Sequence, residues 1–113
     1  MSLRLLALAL CLASGPALAQ GGNCVANQLL RVDAAFSRHG AGGTFDYSVQ
    51  VTNLSPRQVT FRVSFRMTNA QVNPQILGQA FTLPPNGNRI IVLGNGRDQS
   101  LSTRIAGGVT LTC

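Results

Sequence analysis

The sequence predicts an all-β fold, a small antiparallel β-sandwich of about six or seven short strands with a disulfide joining its ends. Three observations carry this expectation. Apolar side chains recur at every second residue, most clearly in "YSVQV" and "VTFRVSF", and a period of two belongs to a strand. Clusters of Gly, Pro and Asn separate such runs at short intervals, as turns do in a sandwich. Two cysteines, Cys24 and Cys113, bracket the same region.

The first predicted strand is 29–37, with Leu30, Val32, Ala34 and Phe36 facing inward and Arg31, Asp33, Ala35 and Ser37 outward. "RHGAGG" (38–43) then reads as a glycine-rich turn. The second strand, 44–52, turns Phe45, Tyr47, Val49 and Val51 inward. "NLSPRQ" (53–58) carries Pro56 and reads as a turn. The third strand, 59–68, turns Val59, Phe61, Val63, Phe65 and Met67 inward, the pattern of a sheet packed on one side. Residues 69–79 form a loop in this reading, with a short edge strand near Ile76. A short strand at 80–83 is stopped by Pro84-Pro85, and "NGN" (86–88) is a turn signal. "RIIVL" (89–93) is a continuous apolar run that suits a strand covered on both faces or at the centre of the sandwich. "GNGRD" (94–98) reads as a further turn. Residues 101–113, split by Gly107-Gly108, read either as a hairpin or as one strand with a bulge. No helix is predicted in this domain.

The segment "YSVQVTNLSPRQVTFRVSF", followed by "FTLPPNGNRIIV", resembles the small Ig-like or fibronectin-type sandwich modules of bacterial exported proteins. The likeness covers residues 47–92, and the absence of Trp sets the chain apart from antibody-type domains. The resemblance implies that the second and third strands lie in opposite sheets. The residues alone leave a simple hairpin equally open.

Residues 1–19 have the build of a cleavable signal peptide. Arg4 precedes an apolar run over 5–12, then Ser14, Gly15 and Pro16, then Ala17-Leu18-Ala19, which places the cut before Gln20. The run is shorter than the roughly 18 to 20 apolar residues that span a bilayer. Cys11 follows Leu10, not the small residue of a lipid-attachment site, and leaves with the signal. The expected mature chain is one domain, 20–113, periplasmic or secreted. A domain of that size buries only about 60 to 65 % of its unfolded surface. Export and a marginal core together point to a Cys24–Cys113 bond.

The nine basic residues are all Arg, and Asp33, Asp46 and Asp98 are the only acids, for a net charge of +6. Loss of Arg4 leaves eight arginines against three aspartates, or +5. Such a domain is drawn to anionic partners, although a Lys-free, Ala- and Gly-rich composition is also what a GC-rich bacterial genome produces. Arg57, Arg62 and Arg66 are the candidate anion-binding residues, with Arg31, Arg38 and Arg104 as further members of a cationic stripe. Asp46 is a partner for Arg62 and Arg66 if the second and third strands pair.

No enzyme is expected. His39 is the only histidine, and its neighbours Ser37 and Asp33 are close in sequence without any nucleophile-elbow motif. Asp33 and Asp46 read as neutralising partners of neighbouring arginines. One histidine and a disulfide leave no metal-ligand set, and no cofactor is expected. Asn53-Leu54-Ser55 fits a glycosylation sequon, with Pro56 after it. Nucleic acid is disfavoured, because the aromatic residues needed to stack bases fall on inward faces. The reading is a non-catalytic binding or structural module of the bacterial cell envelope, its partner an envelope protein or an anionic polymer. The alternative is a self-assembling, pilin-like or coat subunit that pairs through an edge strand.

Overall fold

The computed structural model describes residues 22–100 and 102–113. The predicted signal segment and its cut lie outside the described residues. The strands are β1 (Leu30–His39), β2 (Phe45–Asn53), β3 (Val59–Phe65), β4 (Ala70–Val72), β5 (Ala80–Leu83), β6 (Asn88–Gly96) and β7 (Val109–Thr112), with a helix α1 (Ser102–Gly108) before the last. They form two antiparallel sheets, β1-β2-β6-β4 and β5-β3-β7, which make a small β-sandwich. β2 and β3 therefore lie in opposite sheets, and the simple hairpin is excluded. Asp46 stands opposite Arg38 and Asn95 in the four-stranded sheet, so it is no partner for Arg62 or Arg66.

The core is the space between the sheets. β3 alternates strictly, buried at Val59, Phe61, Val63 and Phe65 and exposed between them. From the other sheet come Tyr47, Val49, Val51, Ile91 and Leu93. Tyr47 meets Phe65 across the gap with ring centroids 6.5 Å apart, while Phe61 stacks on its strand neighbour Phe81 at 5.8 Å. Such pairs add to the area that they bury.

A buried carboxamide ties the sheets where β2 ends. Asn53 is wholly buried, and its Nδ2 donates to the carbonyl oxygens of Arg57 (2.7 Å), Pro84 (3.0 Å) and Leu83 (3.1 Å). Its Oδ1 accepts from the Ser55 N–H at 2.8 Å, and its own backbone N–H donates to Gly87 at 2.8 Å. The last residue of β2 thus holds the turn into β3 and the end of β5. The sequon nitrogen is committed to these bonds in the folded chain.

Cys24 and Cys113 are bonded, with Cα atoms 5.4 Å apart and a separation of 89 positions in sequence. The backbone around them pairs as well: Cys24 N–H donates to Leu111 and Cys113 N–H to Gly22, both at 2.9 Å.

Several predicted elements are corrected. A bulge between Val32 and Ala34 reverses the faces of β1 beyond it. Ala35 then packs on the core, and Phe36 lies on the outer face with the Arg38 guanidinium 5.0 Å above its ring. The edge strand is Ala70–Val72, and Ile76 is buried in a 3-10 turn at Pro74–Ile76. "GNG" is the end of β6, not a turn. A Cβ at Gly94 would run into the Gln71 carbonyl, so this glycine lets β4 approach, while one at Gly96 would run into the Tyr47 hydroxyl of β2. β6 is covered on one face only, since Ile90 is 48 % and Val92 42 % exposed. Residues 102–108 are helical, neither hairpin nor bulged strand, and bury Ile105 against β1.

Two stability outcomes follow. Cys24→Ser/Cys113→Ser is expected to lose about 3 to 4.5 kcal/mol in the chain-entropy model, read as a shift of the denaturant midpoint, and alkylation of both thiols in the native protein would refute the bond. Asn53→Ala is expected to cost about 2 to 4 kcal/mol in urea unfolding, and Asn53→Asp no less, because a carboxylate cannot donate to three carbonyls.

Candidate binding surface

The outer face of the three-stranded sheet is built from the positions between the core residues of β3. Thr60, Arg62 and Ser64 point outward there, beside Thr82 and Ala80 of β5 and Thr110 and Thr112 of β7. The Thr60 and Thr82 hydroxyls are hydrogen-bonded at 3.1 Å. The face holds hydroxyls and arginine with no carboxylate among these residues.

The three predicted arginines are all exposed, but they do not form one cluster. Arg62 donates through one terminal nitrogen to the Gly78 carbonyl at 2.8 Å, which fixes its guanidinium over β5. Arg66 follows β3, its backbone N–H bonded to Gly108 at 2.8 Å. Four residues of strand separate the two by about 13 Å. Arg57 belongs to the turn at the opposite end of β3, roughly 30 Å from Arg66 along the strand.

Arg66 has polar company that the sequence reading missed. Ser64 and Thr110 are register partners, and with Arg66, Phe65, Gly107 and Gly108 they line a hollow of about 430 Å³. Two hydroxyls and a guanidinium there can meet an oxyanion, the guanidinium through a charge-assisted fork. The alternation of "VSF" and "VTL" placed both hydroxyls outward. Only the strand pairing, invisible in sequence, puts them side by side.

The other outer face is different. Phe36, Ser48 and Val92 form one row across β1, β2 and β6, and Ala34, Gln50 and Ile90 form the next. Ser48 is buried although it points outward, because its neighbours cover it.

Two of the residues weighed for catalysis have defined neighbours. His39 ends β1, exposed, with its ring 4.9 Å from that of Phe45. Asp33 accepts from the Thr52 hydroxyl and from Arg31. Among the described residues no group of three or more His, Cys, Asp or Glu stands close enough to hold a metal, and no helix is long and apolar enough to cross a membrane. No family model, curated protein or solved structure matches the chain.

The Thr52 hydroxyl first, and then Arg31, hold the Asp33 carboxyl below the usual carboxylate value. A lowered folded-state pKa stabilises the fold at pH values above the unfolded value of about 3.9, and that contribution fades as pH falls through the folded value. Asp33→Asn should therefore cost up to about 1 kcal/mol at pH 7 and progressively less as pH falls below the unfolded value, measured by urea unfolding across that range.

Proposed function

We propose that this chain is an exported, non-catalytic binding module of the bacterial cell envelope that takes anionic surface material on the outer face of β5-β3-β7. The observation that carries the reading is the hollow lined by Ser64, Thr110 and Arg66, a cationic and hydroxyl-bearing set with no acid among its lining residues. Arg62 adds a second cation along the same strand. A polymer with repeated carboxylate, sulfate or phosphate groups fits two cations about 13 Å apart better than a single small anion does. The disulfide suits an oxidising compartment. The placement of β2 and β3 in opposite sheets supports kinship with Ig-like exported modules.

The second reading is a self-assembling subunit that pairs through an edge strand. It is favoured by a stretch of β6 that no strand among the described residues flanks on one side, and opposed by charge, since three aspartates cannot balance the arginines of a neighbouring copy.

The test is retention of the purified protein on an immobilised acidic polysaccharide across a salt gradient. Arg62→Gln/Arg66→Gln should elute at clearly lower salt, with binding reduced about tenfold and unfolding unchanged within about 0.5 kcal/mol. Elution unaffected by the double change would reject this face.

A further inference from the structure

The two sides of the sandwich are closed differently. On one side the 22–24 segment bridges to β7, the disulfide locks it, and α1 packs along β1. On the other side β4 pairs with β6 only at Gly94–Gly96. Asn73 then extends the cover by two bonds, its N–H to Leu93 and its side-chain amide to Val92, both at 2.8 Å. Pro74 turns the chain away. From Asn88 to Ile91, no strand among the described residues pairs with this edge of β6.

A groove of about 240 Å³ runs along that edge, walled by the 73–79 loop and by Phe81. Its exposed lining is more polar than apolar: Ile76, Phe81 and Ile91 lie buried beneath it, Asn73, Gln75, Gln79 and Arg89 border it, and Ile90 and Val92 stand on its outer lip. Leu77, 63 % exposed, lies on the same loop. Arg89 occupies the inward-facing row opposite Val51, and its guanidinium sits 5.0 Å above the Phe81 ring. The groove lining contains this cation and no acid.

We infer that the open edge of β6 takes an extended acidic segment of a partner protein by β-strand addition. Main-chain bonds to the 88–91 edge would hold the segment, and its side chains would alternate between two environments. The inward position beside Arg89 meets its guanidinium, where a carboxylate gains a charge-assisted bond. Outward positions lie beside Ile90 and Val92 and take apolar residues. The recognised sequence therefore carries an acidic residue at the inward position that meets Arg89 and apolar residues at the outward positions. A second copy of this chain is a poor occupant, because its only acids are Asp33, Asp46 and Asp98, scattered over the sequence. This site is separate from the Arg66 hollow, so either reading can fail without the other.

The probe is a synthetic peptide of about ten residues alternating Val and Glu, enough to cover the edge at strand spacing. It is titrated into the ¹⁵N-labelled full domain. Amide shifts should be confined to Asn88–Val92 and the 73–79 loop. Arg89→Gln should weaken binding about tenfold, the worth of one charge-assisted contact. Arg97→Gln, which removes the same charge just beyond the far end of β6, should leave it unchanged. The same peptide N-methylated on alternate residues along its pairing edge should not bind. Equal binding of the N-methylated peptide or of a Val–Lys peptide overturns the inference. So do shifts centred on Ser64, Arg66 and Thr110, an absence of shifts, or self-association through the β6 edge that the peptide does not displace.

Discussion

Everything in this small domain depends on keeping two thin sheets face to face, and the carboxamide of Asn53 does this where β2 ends. It satisfies three carbonyls from the β2–β3 turn and the end of β5 at once. Buried polar groups left without partners cost more than their bonds contribute, so a hub of this kind specifies one arrangement of the turns around it. The register of β2 against β1 and β6 is then inherited by the opposite sheet through the chain that Asn53 grips. The arginine face and the β6 groove both lie on elements whose positions descend from that anchor.

The strictly alternating strands were legible in the sequence. β3 has one apolar face and one polar face, and a period of two allows no other placement. The failures have separate physical causes. In β1 the extra residue of a bulge inverts the pattern after Val32, and Phe36, which by alternation belongs inside, lands outside under Arg38. In β6 an apolar run implied cover on both faces or a central place; the strand is an interior one of its sheet, between β2 and β4, and its outer face is open at Ile90 and Val92. Of the glycines read as turn markers, Gly94 instead admits a neighbouring strand and Gly96 the Tyr47 hydroxyl. The helix at Ser102–Gly108 is under two turns long, too short for its period to register. As for the site, Arg62 and Arg66 were legible as outward cations. The company of Ser64 and Thr110, and the separation of Arg57, depend on pairing between strands distant in sequence.

The two faces that defied the pattern meet on one side of the molecule. Apolar residues displaced from the core gather on the outer surface of β1-β2-β6, while hydroxyls and arginine cover β5-β3-β7. The domain therefore carries two chemically distinct surfaces on a scaffold too small to hide either. Arg89 stands between them at the open edge, capping the core through Phe81 while remaining exposed. A charge in an inward-facing row is also a known guard against indiscriminate edge pairing, so it filters which strands can approach. An opposite charge on the incoming segment turns the guard into a contact.

The closure around Cys24 and Cys113 has a mechanical meaning. The backbone at Gly22–Cys24 lies antiparallel to Leu111–Cys113, and the covalent bond joins the two segments directly. Tension applied outside the two cysteines passes through that bond and leaves β1 to β6 unloaded. Under oxidising conditions the domain behaves as a short inextensible link. Once the bond is reduced, the same pull is borne by hydrogen bonds of the terminal pairing, and the 89-residue span becomes slack that can be drawn out.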